Sequence, residues 1–148
     1  MNSRALMIAA VAAVGVVSLA TGSAAARTGA VAASLGSQVW GTAEEVPGTA
    51  ALNQGGSAFI NSVSCAAAGN CSAGGPYRDS SGHQQAMVVT ETNGTWGTAE
   101  QVPGIAALNR GGIAGIASVS CGSAGECSAG GPYKDSSGHT QVFVVSES

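Results

Sequence analysis

Residues 40–92 recur without a gap as residues 96–148, so that Trp40 falls on Trp96, Cys65 on Cys121, Cys71 on Cys127 and His83 on His139, each 56 positions on. Of the 53 aligned positions 38 are identical, which makes the second copy a close duplicate of the first. Any fold for this chain must therefore be two copies of one supersecondary unit, each too small to bury its apolar face alone. Such a repeat constrains architecture far more than activity.

The first segment speaks to destination. Met1-Asn2-Ser3-Arg4 precedes the charge-free stretch Ala5–Ala20, which gives way to Ser23-Ala24-Ala25-Ala26. These are the basic, apolar and small-residue parts of a secretory signal peptide, with cleavage favoured before Arg27. Ala5–Ala20 is shorter than the roughly 20 apolar residues of a spanning helix, so no membrane association is expected after cleavage. The organisation read from the sequence is a signal peptide at 1–26, a flexible Ala/Gly/Ser lead-in at 27–38, and β repeats at 39–94 and 95–148.

Without residues 1–26 the chain keeps four basic residues (Arg27, Arg78, Arg110, Lys134) against eight acidic ones, a net charge of −4. No basic stripe or run is present to neutralise phosphates, which argues against nucleic acid and against an anionic membrane surface as partners. Large apolar side chains are few beside the many Gly, Ala and Ser, so the core is thin and needs supplementing. The four cysteines, Cys65-x5-Cys71 and Cys121-x5-Cys127, supply that as two disulfides within the repeats of an exported chain. Closing so short a loop is worth about 2 to 2.5 kcal/mol on the chain-entropy estimate. The spacing does not suit zinc, whose ligands usually stand two to four residues apart, and His83 and His139 lie twelve residues beyond Cys71 and Cys127. No metal and no cofactor is expected.

Each unit holds four short apolar or alternating segments separated by turn chemistry: Trp40–Val46, Phe59–Cys65, Cys71–Tyr77 and Gln85–Thr92, then Trp96–Val102, Gly115–Cys121, Cys127–Tyr133 and Gln141–Ser148. Composition and length make these strands. Asn93-Gly94 is a two-residue hairpin turn, and Asp79-Ser80-Ser81-Gly82 a turn in which Asp bonds forward to the backbone. Thr49–Leu52 has room for a single helical turn. Four antiparallel strands in a repeat of this length describe an all-β fold of two propeller-like blades. With the strand from Phe59 as a, from Cys71 as b, from Gln85 as c and from Trp96 as d, the repeats open on a d strand at Trp40–Val46 and close on a c strand, so the first strand is expected to pair with the last repeat.

The strings Trp-Gly-Thr-Ala-Glu with Val-Pro-Gly, Ser-Val-Ser-Cys, Gly-Asn-Cys, Ala-Gly-Gly-Pro-Tyr and Asn-Gly-Thr-Trp resemble the repeat of secreted actinobacterial multi-repeat proteins, over residues 40–148. That resemblance implies a β-propeller-like fold and no particular activity. Rings typically take four to eight blades, so two blades close only by self-association as a homo-dimer or homo-trimer, or else stay an open pair of sheets.

Strand alternation puts the b–c and d–a loops on one face. That face gathers Asn53, Gln54, Tyr77, Arg78, Asp79, Ser81 and His83 from one copy, and Asn109, Arg110, Tyr133, Lys134, Asp135, Ser137 and His139 from the other. Amides, carboxylates, hydroxyls and rings presented twice suit sugar recognition, so a glycan or cell-envelope component is the expected ligand. The plain alternative is that Asp79 and Asp135 cap their own turns and Tyr77 and Tyr133 end strands at the surface. Trp40 and Trp96 are expected to pack against a neighbouring blade. Asp79, Ser81 and His83 crowd within five residues of one hairpin, too close to form a triad, and identical placement in both copies suits binding better than catalysis. No catalytic residue is assigned; the alternatives are an extracellular structural protein without a small ligand and, behind it, a glycan-active hydrolase, for which a pair of carboxylates in different environments is wanting.

Overall fold

The computed structural model describes residues 39–147; the expected signal peptide, the lead-in and Ser148 lie outside them. The fold is all-β, with two antiparallel sheets and two single helical turns. In the first sheet β1 (Ser62–Ala67), β2 (Asn70–Arg78) and β3 (Gln84–Thr92) form a meander, and the outer edge of β3 pairs with two short pieces, β4 (Thr95–Trp96) and β5 (Glu100–Gln101). The second sheet is the meander β6 (Ser118–Ser123), β7 (Glu126–Lys134) and β8 (Thr140–Ser146). Helical turns α1 (Thr49–Leu52) and α2 (Ile105–Leu108) lead toward β1 and β6.

Local chemistry accounts for the meanders. Asn93 and Gly94 both take positive φ, 51° and 79°, the pair of left-handed residues that a twisted two-residue hairpin demands. Cys65 stands directly opposite Cys71 and Cys121 opposite Cys127, with Cα atoms 3.9 and 4.0 Å apart, and both pairs are disulfide-bonded. The two disulfides point to an oxidising environment. In the Ala-Gly-Gly-Pro-Tyr string a Cβ on Gly75 would run into the carbonyl of Phe59, and one on Gly131 into that of Gly115. Glycine there lets the segment before β1 or β6 lie against the central strand, where Phe59 N and Asn61 N donate to Pro76 O and Gly74 O at 3.0 and 2.9 Å.

The sheets pack face to face. Between them lie Ala86 of β3, Val102, Ile105, Ala114, Ile116, Val119 and Phe143, with Val88 and Val145 at the margin. Ile105 and Ile116 are each 1% exposed, and burial of such a side chain is worth about 1.5–3 kcal/mol. A second cluster on the other side of the first sheet holds Ala73, Tyr77, Met87, Val89 and Ala99, with Val46, Leu52, Ala58 and Trp96 packed around it. No helix among the described residues is long and apolar enough to cross a membrane.

Two strand expectations change. Trp40–Val46 forms no strand, and among the described residues the outer edge of β8 has no partner. Residues from Val46 on are committed to the first sheet instead: Val46 packs on its cluster, and Pro47 O accepts Ala99 N at 2.7 Å. Trp96–Val102 is likewise not one strand, because after Gly97, whose N still donates to Thr90 O at 2.8 Å, the chain leaves the ladder and Ala99 N turns toward Pro47 before β5.

Candidate functional site

The polar loops after β2 and before β1 meet. Gly55 N donates to Arg78 O at 2.8 Å, and in the second copy Gly111 N donates to Lys134 O at 2.8 Å. Both contacts need glycine, since a Cβ at either position would press on the Arg78 or Lys134 stem and the next carbonyl. The copies also join: Gln84 N donates to Gly112 O at 2.9 Å, and the His83 ring lies over Gly112. The loop ends of the two sheets thereby form one continuous polar edge carrying Asn53, Arg78, Asp79, His83, Arg110, Lys134, Asp135 and His139.

Many of these side chains are engaged within the fold. Asp79 Oδ1 accepts the amides of Ser81 and His83, each at 2.9 Å, and Oδ2 accepts Gln85 Nε2 at 3.0 Å. The Gln85 bond, followed by those amides, holds the Asp79 carboxyl below its ordinary pKa despite the opposing effect of burial. Asp135 repeats the arrangement with Ser137, His139 and Gln141 and is lowered for the same leading reason. His139 Nδ1 lies 3.9 Å from Asp135 Oδ2, and the ring is 76% exposed. Arg78 Nη1 and Lys134 Nζ bond the Gly82 and Gly138 carbonyls at 2.8 and 3.0 Å, and Arg110 Nε bonds Ala107 O at 3.3 Å.

Two expected ligand contacts, Tyr77 and Asn109, are corrected by burial, and Tyr133 is partly withdrawn. Tyr77 is 4% exposed inside the second cluster, and burial followed by the Asp79 charge pushes its phenol up from 10.0. Its ring is core and presents no platform to a sugar. Tyr133 is half-buried against the inter-sheet core, its ring centroid 6.5 Å from that of Phe143. Asn109 is 6% exposed and fully used: Nδ2 donates to Gln84 O and Gln85 Oε1 at 2.9 and 3.0 Å, and Oδ1 accepts Ile113 N at 2.8 Å. Asn53 caps its loop through Ser57 N. Tyr77, next to last in β2, is therefore core and not surface, whereas Tyr133 keeps part of its side chain exposed. Trp96 packs on the second cluster, and Trp40 is 98% exposed.

Sequence reading missed Gln84 and Gln85, which stitch the loop of one copy to the other. Gln85 recurs as the exposed Gln141, so only a neighbour decides that it is buried. A cavity of about 130 Å³ between the sheets is lined by Val88, Val119, Ala129 and Val145, with Ser72, Thr90 and Glu147 at its polar end. It is smaller than the roughly 300 Å³ of common ligand pockets. Of its two lining carboxylates, Glu100 is exposed and Glu147 accepts from Ser72 Oγ at 3.2 Å and Thr90 Oγ1 at 3.0 Å. The described residues contain no cluster of three or more His, Cys, Asp or Glu able to hold a metal ion. Comparison of the chain with protein-family models found no match, and comparisons with curated proteins and with solved structures found none either.

Proposed function

We propose that this is a secreted, non-catalytic repeat module that binds a glycan or another cell-envelope component through its polar loop edge, and that its two sheets are neighbouring blades of a propeller-like ring completed by self-association. The observation carrying the binding reading is the continuity of that edge. Gly55 N to Arg78 O, Gln84 N to Gly112 O and Gly111 N to Lys134 O join four loops into one surface, on which exposed Arg78, His83, Arg110 and His139 remain accessible. Repeated shallow polar surfaces suit multivalent binding of a repeating polymer, where each contact is weak and avidity supplies affinity. The blade reading is supported by the order β1-β2-β3 followed by β4 and β5 on one edge, which is the a-b-c-d meander of a blade. A catalytic reading is less favoured because Asp79 and Asp135 are each tied into their own turns by three hydrogen bonds.

The second reading is an extracellular structural protein without a small ligand, and the same internal use of Asn53, Asp79, Asn109 and Asp135 favours it. The oxidised protein titrated against a broad glycan panel and purified cell-wall polysaccharide separates the two. The binding reading expects saturable binding, weakened at least tenfold in Arg78→Ala with Lys134→Ala. Absence of saturable binding across the panel overturns it and leaves the structural role.

A further inference from the structure

The apolar and backbone contacts that join the second sheet to the first have counterparts 56 residues earlier whose partners are missing among the described residues. The apolar part is clearest. Val102, Ile105, Ile116 and Val119 are buried against Ala86 and Val88 of the preceding sheet. Their counterparts Val46, Thr49, Ile60 and Val63 line the front of the first sheet, where Ile60 is 40% and Val63 55% exposed beside an open groove of about 180 Å³. The counterparts of Ala86 and Val88 are Val142 and Val144 on the back of the second sheet, 81% and 87% exposed. One end of the molecule thus bears the socket and the other end the side chains that fill it.

The polar part follows the same rule. Met87 pairs with Gln101 and Val88 with Glu100, and Val102 N donates to Ala86 O at 2.9 Å. The same register places Glu45 opposite Phe143 and Glu44 opposite Val144, and both glutamates are exposed and outside any strand. Val119 N and Cys121 N donate to Ser62 Oγ and Ser64 Oγ at 3.0 and 3.1 Å, whereas the matching hydroxyls Ser118 and Ser120 stand exposed. Ser72 and Thr90 bond each other at 3.2 Å and both donate to Glu147; their exposed counterparts Ser128 and Ser146 keep the mutual bond at 3.0 Å but have no carboxylate partner among the described residues, the matching one being Glu91. Ile116 presses to within 2.9 Å of where a Gly74 Cβ would stand, whereas the nearest atoms to the matching Gly130 position are Phe143 O and Val144 of its own sheet.

The geometry points to a head-to-tail interface between copies of this chain, in which the back of one second sheet docks on the front of the next first sheet and residues 44–46 add a strand to β8. The occupant is a second copy because both halves of the interface, with the register of the strand that closes it, are carried on this one chain. Sizes across the two interfaces also compensate, Ala86 and Ile105 being replaced by Val142 and Thr49. Three positions depart: Asn61 Nδ2 and Gln84 Nε2, which donate to Ile116 O and Ala114 O at 2.9 and 3.1 Å, recur as Ala117 and Thr140 without those amides, and Phe59 stands at the position of Gly115, where a Cβ alone would come within 3.2 Å of Pro76, so the interface between copies repacks around the ring. A heterologous interface of this kind closes into a ring if its rotation closes and otherwise propagates as a filament. The inference rests on the sheets being blades only for ring closure, and it is independent of any glycan.

The test uses two blocked forms of the oxidised protein. Val142→Asp with Val144→Asp spoils the back, and Ile60→Asp with Val63→Asp spoils the front; Glu44→Pro is a second front block, because Glu44 matches Glu100 of the hydrogen-bonded pair with Val88 and is exposed, so it removes a ladder amide and touches no packed side chain. Light scattering should give the wild type a mass of two or more chains and each blocked form a single chain, with an association constant at least tenfold weaker. An equimolar mixture of a front-blocked and a back-blocked form should recover a dimer and stop there, since each retains one intact face. Wild-type mass in the blocked forms, a monomeric wild type up to hundreds of micromolar, or a mixture that stays monomeric overturns the interface. A monomer that still binds glycan would leave the binding reading standing, and an assembled protein without glycan affinity would leave the interface standing.

Discussion

The central strands of the two sheets, Asn70–Arg78 and Glu126–Lys134, differ only at their first and last residues, yet six of the nine positions are buried in β2 and one in β7. Strand β2 is covered on both faces, by the second sheet on one and by Val46, Leu52 and Ala58 on the other, whereas β7 is covered on one face only. Burial in this protein is thus a property of what lies beside a repeat, and nearly identical residues do different work in the two copies. Features internal to a repeat should respond alike to mutation in both copies, and features of the interface between sheets should not.

The largest difference is expected at the interface. Ile116→Ala removes a side chain that is 1% exposed and should cost about 2–5 kcal/mol in urea unfolding. Ile60→Ala, at the matching position 40% exposed, should cost under about 1 kcal/mol in dilute protein. That gap should narrow as concentration rises, because association covers Ile60; a gap indifferent to concentration would break the link between burial and the neighbouring copy.

Glycine substitutions sharpen the same contrast. Gly75→Ala and Gly131→Ala each drive a Cβ into a backbone carbonyl of the same repeat, and should destabilise the protein equally, by about 1–3 kcal/mol or more. Gly74→Ala meets Ile116 of the other sheet, whereas Gly130→Ala meets its own β8 alone, at Phe143 O. Thermal unfolding should rank Gly74→Ala above Gly130→Ala. The disulfides sit at the internal end: replacing either cysteine pair with alanine should cost about 2 kcal/mol and nearly the same in both copies, because each loop spans six positions.

The smallest effects concern pH. Asp79 and Asp135 have carboxyls held below 3.8 in the folded state, so they contribute stability above that value which is lost as pH falls through their lower folded pKa values. Asp79→Asn should flatten the acid limb of a stability–pH curve below pH 3.8. Tyr77 works in the opposite direction, since a phenol raised above 10.0 contributes stability at lower pH that is lost as pH rises through its folded pKa. Tyr77→Phe should remove that alkaline loss, read by unfolding between pH 9 and about 12.

Sequence alone was enough for what each repeat builds from its own residues. The cysteine pairs, the Asn93-Gly94 turn, the Asp79 turn and the order of the strands depend on spacing and backbone preference within about 40 residues. Relations between repeats were not legible. Tyr77 ends a strand next to Arg78 and Asp79, a polar context that reads as surface, and only the packing of Val46, Leu52 and Ala58 over it makes it core. Asn109 and Gln85 are as polar as any loop residue, and they are buried because they satisfy each other across two sheets. Trp40–Val46 has strand composition and no strand, since its ladder partner by repeat register is β8 and its own chain places Val46 on the first sheet.

Amide hydrogen exchange of Val46 and Ala58 in the oxidised wild type, followed across protein concentration, tests the central claim most directly. Their counterparts Val102 N and Ala114 N donate to Ala86 O and Gln84 O at 2.9 Å across the ladder and the interface. If one copy continues the other, Val46 N and Ala58 N bond Val142 O and Thr140 O of the next chain, and their exchange slows at least tenfold as concentration rises in the wild type but not in Val142→Asp with Val144→Asp. Exchange of Val46 and Ala58 that stays equally fast at every concentration would contradict the account.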